Sequence, residues 1–368
     1  MESPRLVNLV DARINEFLAS RDSILIRIAP ELRPFAQFSR DLLSGGKRFR
    51  AQFCYWGWRA VSPANNATTV PGETELDALV DLCAGLELFH AAALVHDDII
   101  DNSDTRRGMP AVHRRFEALH HEENWRGAGR SFGEGSAILL GDLLLAWSDE
   151  LISRAVLAAP SLQNLVATRE AVDVMRTEVT LGQYLDLLEE RAWATTDPAH
   201  SLERAERVIV YKSAKYSVEA PLQIGASLRG ASPEQLDSLR RFGLPLGIAF
   251  QLRDDVLGVF GDAARTGKPS GDDLREGKRT VLVSLTREKL DNSSRRLFDE
   301  LLGDPDLDDA QIRMLQQTMR DTGAVAEVEA MIGERVRTAL GELERAPIGD
   351  TARAELASLA RTITQRET

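Results

Sequence analysis

Cysteine is nearly missing: Cys54 and Cys83 are the only two in 368 residues, each inside an apolar segment. That argues against a disulfide framework or a cysteine metal site and for two buried thiols in a reducing compartment. No uncharged apolar run approaches the ~20 residues that a membrane-spanning helix needs. The N-terminal MESPRLVNLVDARINEF has no basic stretch leading into an apolar one, and the closing ITQRET carries no lipidation pattern. A soluble, cytoplasmic protein is expected. Positive charge is in deficit, 45 Lys and Arg against 57 Asp and Glu, for a net charge of −12. This excludes a general binder of nucleic acid or anionic membrane but allows a local basic pocket. No strand-like alternation with hairpin turn signals stands out. Neither does a Ser-His-Asp or Cys-His set for nucleophilic catalysis.

What is present is helical. From Glu75 to Asp101 the apolar residues Leu76, Leu79, Val80, Cys83, Leu86 and Leu94 recur at three- and four-residue steps. Similar patterns run over Leu6 to Ile28, Ala137 to Leu157, Leu162 to Glu190, Leu202 to Leu228 and Pro233 to Phe260. Others run over Val281 to Leu302 and Asp308 to Leu343. Gly230 ends one helix, and Ser232-Pro233-Glu234-Gln235 starts the next with a capping serine, a first-turn proline and a glutamine able to close the box. Loops are expected from Ser62 to Gly72, from Trp125 to Gly135 with four glycines, and from Asp262 to Arg279. No composition shift marks a boundary, so residues 1–368 read as a single all-α domain.

Two aspartate clusters end apolar helical runs. The first is Asp97-Asp98-Ile99-Ile100-Asp101 in LVHDDIIDNSDTRRG; the second is Asp254-Asp255-Val256-Leu257-Gly258 in FQLRDDVLGVFGD. Residues four apart share a helix face, so Asp97 and Asp101 point the same way. Such a pair repels unless a cation lies between, and Mg²⁺ takes oxygen ligands and bridges to substrate phosphates. A solvated acidic helix end is the plainer alternative. Against it, Val95, Ile99 and Ile100 make this an apolar helix, where clustered acids are costly to desolvate without a cation. Arg106, Arg107 and Gly108 follow, and fixed guanidiniums beside metal-holding carboxylates form a diphosphate clamp. The second cluster lacks its third carboxylate, Gly258 standing in its place. Asp262 lies on the same side only if the helix continues past Gly261.

Upstream of both clusters, Ser44-Gly45-Gly46-Lys47-Arg48-Phe49-Arg50 sets two glycines before three cations, an anion site in outline. It is no P-loop, since the GxxxxGK[ST] spacing and a preceding strand are missing. A helix start with a basic first turn is the alternative, which the helix dipole disfavours. Tyr211-Lys212-Ser213-Ala214-Lys215-Tyr216, and Gln183 and Asp186 in LGQYLDL, read by themselves as ordinary polar groups on helices. Phe250-Gln251 precede the second cluster; Lys268 and Lys278-Arg279 follow it.

In this order, GGKRFR, the His90-to-Asp97 spacing, DDIID followed by RRG, GQYLD, YKS, FQLRDD and the GK…GKR loop resemble the trans-isoprenyl diphosphate synthases, the polyprenyl synthetase family. The resemblance runs from about Gly45 to about Arg279. It implies a single large helical bundle, the isoprenoid synthase fold, around a central active-site cavity. It also implies Mg²⁺, three ions per site, bridging both aspartate clusters to an allylic diphosphate. Asp97, Asp101 and Asp254 would be the ligands, with Asp98 and Asp255 in support. Arg106, Lys212 and Lys268 match residues that grip that diphosphate, with Gln251 and Lys278 in the same surroundings. Lys47, Arg50, His90 and Arg107 would hold isopentenyl diphosphate. Gln183, Ser213 and the Lys212 carbonyl match groups beside the developing carbocation. The family is usually homodimeric, and no nucleic-acid partner or stable membrane insertion is expected.

For product length, Ala93 and Ala92, four and five residues before Asp97, are too small to block a growing chain, whereas a farnesyl synthase typically has aromatics there. Phe89 lies one ~5.4 Å helix turn deeper, roughly one isoprene unit, and as a floor would give geranylgeranyl diphosphate. If Phe89 faces the core instead, the product is longer. Three rivals remain: a class I terpene cyclase, which GGKRFR, His90 and Arg107 oppose; a squalene-synthase-like enzyme, whose acidic motifs are spaced differently; and a non-catalytic subunit of a heteromeric synthase, supported by Gly258.

Overall fold

The structure is a computed structural model and describes residues 3–61, 72–261 and 270–365. The expected loop at 62–71, with Asp262 and Lys268, lies outside the described residues. The described chain is helical apart from one small hairpin, and it groups into two compact units, residues 1–170 with 221–231 and residues 171–220 with 232–368.

In the first unit, α1 (Ser3–Ile28), α2 (Arg33–Leu43), α3 (Phe49–Ala60) and α4 (Glu73–Ile100) are followed by strands β1 (Thr105–Arg106) and β2 (Met109–Pro110). Then come α5 (Val112–Glu122), α6 (Gly129–Leu157) and the first turns of α7 (Leu162–Ala192). Apolar residues surround most of α4: Leu79, Leu82, Leu86, Leu88 and Ala92 are all at or below 1 % exposure. By length and composition α4 is apolar enough to cross a membrane, but 78 % of its most apolar window is buried, as in the central helix of a packed core. Helix α6 packs along it, and Ser148 Oγ donates to the Gly85 carbonyl at 2.8 Å. Cys54 and Cys83 are buried free thiols, as expected.

In the second unit α7 runs on, α8 (Ser201–Val208) passes without interruption into a π-helical segment (Ile209–Glu219), and α9 (Ala220–Leu228) leads back to the first unit. Next is α10 (Pro233–Phe260), opened by the expected capping box: Ser232 Oγ accepts from Gln235 N at 3.2 Å and Gln235 Oε1 accepts from Ser232 N at 3.0 Å. The helices α11 (Asp272–Glu276), α12 (Val281–Lys289), α13 (Asn292–Leu301), α14 (Asp309–Asp321), α15 (Ala324–Arg345) and α16 (Asp350–Thr364) complete it. The core gathers Leu252, Val256 and Val259 of α10 with Val283, Leu285, Leu315, Val328 and Ile332. Arg253 fixes α10 in place through a bidentate bond to Glu329 (2.5 and 2.7 Å) and a bond to the Thr364 carbonyl (3.1 Å).

The structure departs from the sequence reading in five places, one of them α11, which lies within the expected 262–279 loop. The glycine-rich 125–135 segment is not all loop: α6 starts at Gly129, and Gly133 within it packs so closely on α5 that a side chain would stand 2.3 Å from the His113 carbonyl oxygen. Tertiary packing there overrides glycine's poor helix propensity. The patterns over 281–302 and 308–343 each divide, the first where Asp291 caps a new helix and the second at Gly323, whose φ of 76° no helix continues. The 105–110 hairpin is too short to show a strand pattern.

Candidate active site

After α2 the chain turns through Gly45 (φ 66°) and Gly46 (φ 97°), then Arg48 (φ 50°), before α3 starts at Phe49. Glycine tolerates such angles and other residues rarely do, so Arg48 must be held there. Its buried guanidinium donates to Asp11 at 2.9 Å, to Glu87 at 3.3 Å and to the Leu43 carbonyl. Glu87, from α4, also accepts from the Ala51 amide at 3.3 Å, satisfying one of the orphan donors at the start of α3. Of the three cations in GGKRFR, Arg48 is thus tied into the fold. Lys47 is exposed, 5.8 Å from the Phe49 ring, and Arg50 stands on the first turn of α3.

The hairpin pairs Thr105 with Pro110 and Arg106 with Met109, leaving Arg107 (φ 54°) and Gly108 (φ 75°) as a two-residue turn, both left-handed as a type I′ turn requires. Neighbouring side chains of a strand point to opposite faces. Arg106 turns to the first aspartate cluster: Nε donates to Asp98 at 2.8 Å, and Nη2 reaches the same oxygen and Asp97 at 3.5 Å. Arg107 turns to the glycine turn, donating to the Leu42 carbonyl at 3.3 Å, and a Cβ on Gly46 would lie 3.7 Å from its guanidinium nitrogens. His90 feels both. Desolvation, then the guanidiniums of Arg50, Arg107, Arg106 and Arg48, hold its imidazole well below the ordinary 6.5. It is therefore neutral near pH 7 and has one N–H to donate to an anion.

Asp97 and Asp98 occupy the last turn of α4 and Asp101 caps it in helical conformation, its amide donating to the Asp97 carbonyl at 2.8 Å. Asp97 and Asp101 therefore share a face, as the spacing predicts. A helix C-terminus carries partial negative charge, so acids collected there call for a cation. The donors are carboxylate oxygens only, which suits a hard ion such as Mg²⁺. Among the described residues no three His, Cys, Asp or Glu side chains make a ready metal cage. On the same helix Phe89 and Ala92 are buried and Ala93 is half-buried.

In the second unit α7 lays Glu178, Gly182 and Asp186 along one face, four residues apart. Glu178 pairs with Lys215 at 2.5 Å, Asp186 pairs with Lys212, and Gly182 lies between them against the backbone of Tyr211 and Lys212. From the other side Gly247 of α10 abuts Ala214, where a Cβ would stand 2.4 Å from its carbonyl oxygen. π-Helix is rare and concentrates at functional sites. Here it carries Lys212 and Ser213, and Gln183 stands next to Gly182. Neither glycine was singled out from the sequence, although Gly182 stands inside the GQYLD motif.

On α10 Gln251 donates to Asp255 at 2.7 Å. Asp255 is buried, and desolvation, with Asp273 and Asp254 nearby, pushes its carboxyl up to about 8 against the pull of Gln251 and Lys278. Asp254, one residue earlier, is exposed. Lys278 lies 3.1 Å from Glu276. Asp273 was missed in the sequence; its carboxylate backs directly onto Gly258.

The model of the polyprenyl synthetase family matches residues 33–319. A geranylgeranyl diphosphate synthase of Methanosarcina mazei is 32 % identical over 290 residues, 77 % of this chain and 77 % of the relative. A geranylfarnesyl diphosphate synthase of Aeropyrum pernix is 32 % identical over 251 residues, 68 % and 71 %. Among solved structures, the geranylgeranyl pyrophosphate synthase of Corynebacterium glutamicum, complexed with isoprenyl diphosphate and magnesium, matches with a TM-score of 0.91 at 37 % identity over 100 % of both chains. With its all-helical fold, its aspartate clusters and the match over 33–319, the chain belongs to the polyprenyl synthetase family and is a prenyltransferase, a trans-isoprenyl diphosphate synthase.

Proposed function

We propose that the enzyme condenses isopentenyl diphosphate with an allylic diphosphate (dimethylallyl, geranyl or farnesyl) and releases geranylgeranyl diphosphate. The observation that carries the two-substrate reading is the opposed pair Arg106 and Arg107, one on the aspartates of α4 and the other on the glycine turn. Two neighbouring anion sites are what a condensation of two diphosphates needs; a terpene cyclase needs one. Lys47, Arg50, neutral His90 and Arg107 bind isopentenyl diphosphate. Arg106, Lys212 and Lys268 hold the allylic diphosphate, with Gln251 and Lys278 supporting the aspartates of α10. Mg²⁺, held by Asp97, Asp101 and Asp254, supplies charge neutralisation for the departing diphosphate.

The reaction breaks the allylic C1–O bond, the electron pair leaving with diphosphate. The isopentenyl double bond attacks C1, and the resulting cation loses a proton to the released diphosphate. Fixed cations stabilise the leaving group where charge develops, and the Lys212 carbonyl, Ser213 and Gln183 face the carbocation. No side-chain nucleophile is required. Relatives equally similar to this chain are named for C20 and C25 products, so the C20 assignment rests on Phe89 as the tunnel floor. We assign the working form as a cytoplasmic homodimer. The test is turnover by the purified chain with labelled isopentenyl diphosphate and each allylic primer. A C20 product that needs both substrates is expected. Turnover of the primer alone would make it a cyclase, and no turnover a non-catalytic subunit.

A further inference from the structure

The second aspartate cluster is short of a carboxylate at position 258, yet the space is not open. A Cβ built on Gly258 would lie 2.0 Å from Asp273 Oδ2, 2.4 Å from its Cγ and 2.9 Å from its Oδ1. The whole carboxylate of Asp273 thus occupies the volume that a side chain at 258 would enter. We propose that Asp273 supplies the missing third carboxylate of the α10 cluster, so that Asp254, Asp255 and Asp273 together serve the Mg²⁺–diphosphate end of the reaction. This rests on the function proposed above.

Position 258 is four residues after Asp254 and on its face of α10. A carboxylate delivered from α11 to that point stands beside the position where the one-two-five pattern of the first cluster has its third acid. The backbone that carries it is tied down. Leu274, the next residue, is fully buried, and its carbonyl accepts from Gly303 N at 2.9 Å. The Asp273 carbonyl accepts from Lys278 N at 3.1 Å. Gly271 and Gly277 flank the turn at φ 75°, the first closely against Ile312 and the second against Gly303. Glycine at 258 leaves that volume to the acid, since a side chain there must displace the Asp273 carboxylate.

The test is calorimetry of inorganic diphosphate binding to the full chain with and without Mg²⁺. Asp273→Asn is expected to weaken Mg²⁺-dependent binding by about tenfold or more, the range seen when groups supporting a metal site are lost. Gly258→Asp alone is expected to weaken it too, by collision. Gly258→Asp combined with Asp273→Ala should recover affinity to within about threefold of the parent. An acid in the first turn of α11 also favours that helix's dipole. A role confined to that would lower the melting temperature of Asp273→Asn and leave binding unchanged, which overturns the proposal. So would a double variant no better than either single one, and that comparison decides the matter if Asp273→Asn fails to fold. A parent protein that shows no Mg²⁺-dependent diphosphate binding would instead overturn the proposed function.

Discussion

Gly182 of α7 meets Lys212 backbone to backbone: a Cβ at position 182 would stand 2.4 Å from the Lys212 amide nitrogen and 2.4 Å from the Tyr211 carbonyl carbon. Alanine at an ordinary helix position stabilises by ~1 kcal/mol over glycine. Here the sign reverses. Gly182→Ala must push the π-helical segment off α7, an overpacking cost of about 1–3 kcal/mol. It also displaces Lys212 and Ser213, for which a loss of about 10- to 100-fold in kcat is expected. Thermal melts and steady-state kinetics check both, and an unchanged melting temperature would disprove the close contact.

Arg106 and Arg107 are adjacent in sequence but, in the proposed function, serve different substrates. Arg107→Ala should raise KM for isopentenyl diphosphate about 10- to 100-fold, the loss of a hydrogen bond to a charged group, with little change for the allylic primer. Arg106→Ala should lower kcat and also destabilise the fold by about 3–5 kcal/mol, because it takes the guanidinium from buried Asp98. Kinetics with each substrate varied in turn separate the two; identical effects on both KM values would remove the basis for two sites.

The motif residues were legible because chemistry dictates their type and spacing: Asp97 and Asp101 on one helix face, and Ser232 opening a helix with Gln235. What stayed hidden depends on the third dimension. Nothing in the local pattern separates a π-helical 209–219 from an α-helix, since eleven residues cannot distinguish the two periods. Gly182 and Gly247 read as weak helix formers until the backbone they admit is seen. Asp273 lies fifteen residues past Gly258 across a segment that reads as loop, and only the fold of α11 returns its carboxylate to α10. Gly258 read from sequence as a deficiency; the structure sets the Asp273 carboxylate beside it.

In the proposed function Lys47 serves binding, whereas Arg48 is tied into the fold. Arg48→Ala removes the partner of Glu87, which is only 5 % exposed, and should cost about 3–5 kcal/mol. Lys47→Ala touches an exposed side chain and should change stability by less than about 0.5 kcal/mol. Its effect should appear as a raised KM for isopentenyl diphosphate. Urea denaturation of both variants beside substrate kinetics is the check. A strongly destabilised Lys47→Ala protein would contradict the assignment.

His90 gives the stability of the first unit an acid-side slope. In the unfolded chain it takes up a proton near pH 6.5; in the folded protein, desolvated and facing four guanidiniums, it does so only at lower pH. Between those values the unfolded state holds more protons, so this contribution is complete above pH 6.5 and is lost as pH falls below it. His90→Gln cannot be protonated and removes the slope. The stability difference between parent and variant should therefore shift in the variant's favour toward acid, by up to about 1.4 kcal/mol per pH unit. Urea melts at pH 7.5 and 5.5 measure it, and parallel pH profiles would show that His90 does not titrate this way.

Phe89 decides chain length in the proposed function. It is 5 % exposed on α4, eight residues before Asp97, while Ala92 and Ala93 lie between them. It lies one ~5.4 Å turn beyond Ala93, roughly one isoprene unit deeper. Phe89→Ala opens that floor and should give C25 and longer products from farnesyl diphosphate. Loss of a buried phenyl ring costs about 3–5 kcal/mol, so the gentler Phe89→Leu accompanies it and should yield a smaller shift in the same direction. Chromatography of the hydrolysed products reads the lengths. If both variants fold, turn over and still stop where the parent stops, Phe89 packs in the core rather than across the tunnel. The length determinant then lies on another helix.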